Sequence, residues 1–246
     1  MRRSLLVLAS LALLAAILAG SATASPGSAA RRQIVCRGHA LSCCPPLAPV
    51  CCQPTVLPCA GVTIAVTPNP ASARQAVIVT GAVTALAGRP ADVPVTLWQQ
   101  LPGQTSFGRV ATAGTDAHGA YRFSRPPGSM PTNRVLYVTA LTARSPTVDL
   151  SVKAVVTLKV SGRTSGRGRL VGFAGRVTPA HAGERIRIER RTVHGWVLIG
   201  RAKLTSSSRF RLLKRFPTLG FASVRAALGA DARNAASYSP TRRAKL

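Results

Sequence analysis

From residue 61 onward, apolar and polar residues alternate over short runs that Gly, Pro, Asp and Asn interrupt. A period of two marks half-buried strands, because successive side chains leave opposite faces of a pleated backbone. The pattern predicts a strand over Val62 to Thr67, stopped by Pro68-Asn69-Pro70. A longer one covers Gln75 to Val83, before a turn through Gly88-Arg89-Pro90. Val93, Val95 and Leu97 then alternate with Pro94, Thr96 and Trp98. Arg109 to Ala113, Tyr121 to Phe123, Arg134 to Ala140 and Thr147 to Val152 complete the series.

The series then repeats. Ala154 to Val160 opens it and Leu170 to Thr178 is its long strand. Ile186 and Ile188 match Val95 and Leu97, and Gly200-Arg201-Ala202 within Trp196 to Lys203 matches Gly108-Arg109-Val110. Phe210 and Leu212 match Tyr121 and Phe123, Phe221 to Leu228 matches the strand ending at Ala140, and Ser237-Tyr238-Ser239 begins the last strand. About seven short, turn-separated strands per unit is the pattern of an immunoglobulin-like sandwich. The expected fold is all-β, with two tandem immunoglobulin-like β-sandwiches over residues 61–151 and 152–246. Only Ser151 to Lys153 separates them, a link short enough to make a semi-rigid pair.

The segments before the repeat are of another kind. Arg2 and Arg3 precede an apolar run from Leu5 to Leu18, and Ala22-Thr23-Ala24 is a small-x-small cleavage site. Residues 1–24 therefore read as a signal peptide and the mature chain as beginning near Ser25. The run is shorter than the roughly 20 residues of a spanning helix, and Ser21 stands where a lipidated Cys would be needed. The expected location is secreted or extracytoplasmic, cell-wall association included, with no transmembrane span after cleavage. Residues 25–60 form a Cys/Pro-rich segment holding all six cysteines: Cys36, Cys43, Cys44, Cys51, Cys52 and Cys59. An even count in an exported chain reads as a disulfide framework, with fifteen possible pairings. Adjacent cysteines are poor partners for one another. Zinc is the competing reading, with His39 as an extra ligand, but the usual spacing of two to four residues between ligands is missing. The intervening prolines exclude a helix or a central strand, leaving a stapled knob or a tether.

Charge divides the repeats. The chain carries 33 Lys and Arg against 6 acids, a net of +27. Residues 152–246 hold 21 basic residues against Glu184, Glu189 and Asp231, a net of +18; residues 61–151 hold 7 against Asp92, Asp116 and Asp149, a net of +4. Such a field attracts polyanions and points to the second unit as the contact surface. The arginine enrichment of a GC-rich genome would give the same composition with no ligand. If Ile186, Ile188, Phe210 and Leu212 face inward, Arg185, Arg187, Glu189, Arg191, Arg209 and Arg211 face outward, and Arg225 lies out beside Val224 and Ala226. In an immunoglobulin-like order Arg187 and Arg225 share one sheet and Arg209 lies on the other. Arg185, Arg187, Arg191, Arg209, Arg211 and Arg225 are thus the candidate polyanion contacts. Guanidinium forks suit phosphate and carboxylate. Few exposed aromatics are expected among them, which argues against a single-strand nucleic-acid platform.

The runs Gly175-Arg176-Val177-Thr178-Pro179-Ala180, Gly183-Glu184-Arg185-Ile186-Arg187-Ile188, Gly195-Trp196 and Gly200-Arg201-Ala202 resemble the immunoglobulin-like or fibronectin-III-like repeats of secreted actinobacterial proteins. The resemblance covers most of residues 152–246 and, more loosely, 61–151. It implies adhesion, spacing or display and supplies no catalytic residues. Neither unit contains a Cys, so hydrophobic burial must hold each sandwich without an inter-sheet disulfide.

Catalytic patterns are missing. No HExxH, GxSxG or P-loop is present. His118 lies in Asp116-Ala117-His118-Gly119, where turn chemistry accounts for Asp and Gly, and His181 and His194 also fall in expected turns. Glu184 and Glu189 should leave opposite faces of one strand. Gly162 to Gly168 reads as a flexible hairpin loop. Trp98 is out of phase with Val95 and Leu97, which points it outward, either as a carbohydrate-stacking or partner platform, or covering a sheet edge or packing on the cysteine-rich segment. No cofactor or metal is expected. The expected role is an exported, non-enzymatic surface or extracellular protein of the structural or adhesive kind. Its partners would be an anionic envelope polymer or a surface protein. The alternative is a dedicated polyanion-binding protein.

Overall fold

The computed structural model describes residues 33–35, 60–85, 91–165, 168–217 and 220–246. The signal-peptide reading and the six cysteines lie outside the described residues. The first sandwich uses β1 (Gln33–Val35), β2 (Ala60–Val62), β3 (Ala65–Thr67), β4 (Ala71–Ser72), β5 (Val77–Thr84) and β6 (Pro94–Gln100). It continues with β7 (Gly108–Gly114), β8 (Ala120–Arg125), β9 (Arg134–Ala140), β10 (Ala143–Arg144), β11 (Val148–Leu150) and β12 (Val152–Lys153). The second uses β13 (Val155–Val156), β14 (Lys159–Ser165), β15 (Gly168–Thr178), β16 (Arg185–Thr192) and β17 (Gly195–Lys203). It ends with β18 (Arg209–Phe216), β19 (Phe221–Leu228), β20 (Ser237–Tyr238) and β21 (Arg242–Lys245).

Both units have one plan. In the first, β5 is the centre of a sheet, with β2 and β3 along one side and β8 along the other; β7, β6 and β9 form the facing sheet, edged by β10 and β11. In the second, β13 and β14 flank β15 opposite β18, and β17, β16 and β19 face them, edged by β20 and β21. This is the immunoglobulin-like sandwich, twice over. The alternating positions meet between the sheets: Val79, Val95, Leu97, Leu136 and Val138 are buried in one core, and Val171, Phe173, Ile186, Ile188 and Val224 in the other.

The repeated glycine has a packing reason. At Gly81, an added Cβ would land on the Thr63 carbonyl oxygen and the Tyr121 ring. At Gly175, it would land on the Thr157 carbonyl oxygen and lie 2.6 Å from Phe210. In each unit the threonine hydroxyl also accepts the next amide, from Ala82 at 2.9 Å and from Arg176 at 2.9 Å. A bare backbone at that point lets the flanking strand and the aromatic ring close over the central strand.

Three expectations need correcting. Val62 to Thr67 is two strands, broken at Thr63 and Ile64. The run 162–168 is paired as far as Ser165 opposite Gly168, so most of it is strand rather than loop. The matched Gly-Arg runs are out of register by three residues. Pairing jumps at Leu97/Trp98 in one unit and at Ile188/Glu189 in the other, and Arg109 is level with Leu198 and not with Arg201. The extra residues, Val110 and Ile199, pack on the two cores. A β-bulge of this kind shifts every later side chain on its strand.

At the hairpin between β7 and β8, Asp116 accepts the amides of His118 (2.8 Å) and Ala120 (2.9 Å). The Ala120 amide, then that of His118, holds the Asp116 carboxyl below its ordinary 3.8. Because the folded state favours the ionised form, its contribution is complete above the unfolded value and disappears as pH falls through the folded one. Asp116→Ala is therefore expected to lower the urea midpoint of the first sandwich at neutral pH. The deficit should shrink well below pH 3.8. A deficit independent of pH would show that the carboxylate is not the cause.

The two units touch directly. β12 pairs in parallel with β4, Val152 belongs to the first core and Ala154 to the second. The buried Asn234 donates to the carbonyls of Pro131 and Val152, both at 3.0 Å. Asn133 donates its amide to Arg233 O at 2.6 Å and its side chain to Ala232 O at 3.2 Å. The junction is thus made by the β19–β20 loop lying against the end of the first sandwich.

Candidate anion-binding faces of the second sandwich

The six candidate arginines separate as strand order requires. Arg185, Arg187 and Arg191 on β16 and Arg225 on β19 share one sheet, whereas Arg209 and Arg211 stand on β18 in the other. The two outward faces differ in chemistry.

On the β17–β16–β19 face, the central arginines are engaged. Glu189 lies out from the core, as alternation predicts, but is covered rather than exposed: Arg187 Nε sits 3.2 Å from one carboxylate oxygen and Arg225 Nε 2.9 Å from the other. Arg225 is held between Trp196 and Tyr238, its guanidinium carbon 4.1 Å from each ring centroid. Arg191 lies 5.7 Å from the Trp196 centroid, and Arg243 lies 4.7 Å from that of Phe221. The expectation of few aromatics among the arginines is therefore wrong on this face. The bulge, Trp196 from the neighbouring strand and Tyr238 from the edge bring the rings in, and no local pattern around Arg225 announces them. Glu189→Ala would leave two guanidiniums without their acid. It is expected to cost about 1–2 kcal/mol, discounted because both arginines keep solvent contact. Thermal unfolding of the variant measures it, and an unchanged midpoint would show the cluster to be idle.

On the β14–β15–β18 face, Lys159 and Arg163 stand on one side of the central strand, and Arg209 and Arg211 on the other. All four are exposed. Between them the outward positions of β15 are Leu170, Gly172, Ala174 and Arg176, with the two small residues in the middle. The result is a trough with two depressions. One of about 510 Å³ touches Lys159, Ala174, Arg176, Arg209 and Arg211. The other, of about 340 Å³, touches Arg163, Gly172, Arg211 and Leu213. No acid lines either depression.

The same frame in the first sandwich also carries a depression, of about 610 Å³, but Asp92 and Asp116 line it together with Arg122. Register places Ile78 and Thr80 where the second has Gly172 and Ala174, and Ala120 where it has Arg209. Only Arg122 matches a cation, Arg211. The second unit has thus replaced an acid-lined depression with one that has smaller floor residues and basic walls.

Most of the remaining polar sites are accounted for locally. Trp98 is half-buried, not exposed: its ring stacks on Tyr137 (centroids 6.0 Å apart) and its Nε1 donates to Thr139 at 3.0 Å. A junction cavity of about 460 Å³ is lined by Arg134, which donates to Gln99 and Thr132. Burial, followed by the neighbouring Arg125, pushes that guanidinium down to about 10. His118 is exposed, and the Asp116 carboxylate beside it is spent on backbone amides. His181 lies in the connection expected for it, yet is wholly buried. Among the described residues, no helix is long and apolar enough to cross a membrane.

No protein-family model matches the chain, and no curated protein sequence does. Solved structures similar to it include a tetra-tandem repeat from the extending region of a large adhesion protein, at 17% identity and TM-score 0.37 over 76% of this chain and 50% of that one. A C-terminal 282-residue fragment of intimin, in complex with the intimin-binding domain of its translocated receptor, is similar at 14% identity and TM-score 0.36 over 73% and 62%. Red sea bream transglutaminase is similar at 11% identity and TM-score 0.40 over 75% and 31%. This chain spans half the length of the first of these. Likenesses this distant carry no argument about ligand or activity.

Proposed function

We propose that the chain is an extracytoplasmic, non-enzymatic surface protein of the adhesive or structural kind. Its second sandwich holds a linear polyanion in the β14–β15–β18 trough. The observation that carries this reading is the paired change from the first sandwich to the second. The floor changes from Ile78 and Thr80 to Gly172 and Ala174. The walls gain Lys159 in place of Ala65 and Arg209 in place of Ala120, and the acids that line the first depression do not line the second. A surplus of arginine from genome composition would scatter charge, with no reason to clear a floor beside it. Forked guanidiniums on one wall and mixed Lys and Arg on the other suit phosphate or carboxylate groups repeated along a chain. The opposite face is less suited, because Glu189 already neutralises part of its centre.

The test is co-sedimentation of the full chain with purified cell-envelope material across a salt series. Binding at low salt that salt releases is expected, since each phosphate-type contact displaces counterions. Binding that persists unchanged at high salt, or no binding at low salt, would refute the polyanion reading. Repeating the series after enzymatic removal of phosphopolymer, acidic glycan or DNA separately identifies the source of the anion.

A further inference from the structure

A second site lies in the same sandwich, where the β15–β16 and β19–β20 connections meet under the module junction. His181 and Glu184 come from the first connection and Asp231 from the second. The turn through Gly183, whose φ of +83° glycine adopts at no cost, folds Glu184 back beside His181. One ligand-type atom from each of the three lies within 4.8 Å of the others.

The imidazole is the informative group. It is completely buried. Its Nδ1 lies 2.8 Å from the Pro179 carbonyl oxygen, so Nδ1 carries the hydrogen and donates it. That leaves Nε2 as the open position of the ring. That atom is buried without a hydrogen-bond partner, and it points at the Asp231 carboxylate, 3.6 Å away. A buried, unpartnered ring nitrogen facing a carboxylate at this distance leaves room for an electrophile between them. A histidine whose other nitrogen donates to a backbone carbonyl is the usual form of a metal-ligating one. Zinc bonds of about 2.0–2.2 Å to nitrogen and oxygen in a tetrahedron place neighbouring ligand atoms about 3.3 Å apart, close to the 3.6 Å between His181 and Asp231, whereas the three ligand atoms as a set lie within 4.8 Å of one another.

Arg233 is the present counter-ion. Its Nη2 lies 2.5 Å from Glu184 and its Nε 3.4 Å from Asp231. Its side chain is 44% exposed, so it has a path out to solvent. Asp231 uses its other oxygen to accept the amides of Arg233 (2.8 Å) and Asn234 (2.6 Å). Those are the residues that dock on Asn133, Pro131 and Val152 of the first sandwich. An ion on Asp231 thus fixes the loop that joins the two units.

We propose that His181, Glu184 and Asp231 form a site for a divalent transition ion that displaces the Arg233 guanidinium and stiffens the junction between the sandwiches. The site is independent of the polyanion trough, and either stands if the other fails.

The experiment is Co²⁺ titration of the full chain by equilibrium dialysis and visible absorption, because cobalt bound by nitrogen and oxygen lacks the thiolate charge-transfer band that cysteine ligation would give. Asp231→Asn keeps the shape and both amide contacts, and should remove one bound ion of the nitrogen/oxygen type, or weaken it by about 10–100-fold. Arg233→Gln removes the competing charge and should tighten the same ion by about tenfold. Circular dichroism establishes that both variants are folded. Equal uptake by the wild type and Asp231→Asn would overturn the proposal. So would Arg233→Gln binding no more tightly than the wild type, or cobalt appearing only with thiolate absorption.

Discussion

Gly175→Ala is expected to destabilise the second sandwich by about 3 kcal/mol or more, and to leave the first in place. The added methyl would occupy the position of the Thr157 carbonyl oxygen and press on the Phe210 ring. Neither is the free end of a flexible side chain: one is backbone of the link between β13 and β14 and the other an aromatic ring of the core. Overpacking of a close-packed interior commonly costs 1–3 kcal/mol, and more where backbone must move. The chain's two tryptophans report separately, since Trp98 lies on β6 and Trp196 on β17. Urea unfolding followed by Trp196 fluorescence in a Trp98→Phe background should show a lowered midpoint. The Trp98 transition, read in a Trp196→Phe background, should stay where it was. Gly81→Ala should give the mirror result. A Trp196 transition unmoved by Gly175→Ala would mean that the close approach of strand and ring is not a constraint.

The second large effect concerns the trough. Replacing Lys159, Arg163, Arg209 and Arg211 together with Gln keeps the strands polar and exposed while removing four positive charges from the walls. Each lost phosphate contact reduces the slope of log affinity against log salt by about 0.7–0.9, so the four together should flatten it by about 3. At moderate ionic strength the affinity for polyphosphate should fall roughly a hundredfold or more. Fluorescence anisotropy of a labelled polyphosphate, titrated at several salt concentrations, measures both. A slope unchanged in the variant would place the contacts elsewhere.

Much of this architecture is legible in the alternation of side chains. Ile186 and Ile188 read as inward from their neighbours alone and are completely buried. The assignment of Arg187 and Arg225 to one sheet and Arg209 to the other follows from strand order and is what the topology has. Alternation stops being sufficient where pairing is irregular. Val110 and Ile199 are one residue too many on their strands, and nothing in their own neighbourhoods marks the bulge. The bulges fall at the same point in both units, so the false match of the Gly-Arg runs comes instead from hairpins of unequal length, 101–107 in the first and 193–194 in the second. Glu189 is likewise outward by parity but sealed by Arg187 and Arg225, a contact that depends on which strands are neighbours. His181 and Asp231 are fifty residues apart in the chain, and only the folded arrangement of two connections brings them within 3.6 Å. The trough has a trace in the sequence: Gly172 and Ala174 stand at outward positions of the long strand. Its meaning appears only when β14 and β18 are set on either side.

Arginine-selective dicarbonyl footprinting of the full chain, with and without saturating polyphosphate and read residue by residue by mass spectrometry, tests the central claim most directly. If the β14–β15–β18 trough holds the polyanion, Arg163, Arg209 and Arg211 become protected while Arg185 and Arg191 react as before. Equal protection on both faces, or protection concentrated on Arg185 and Arg191, would contradict it.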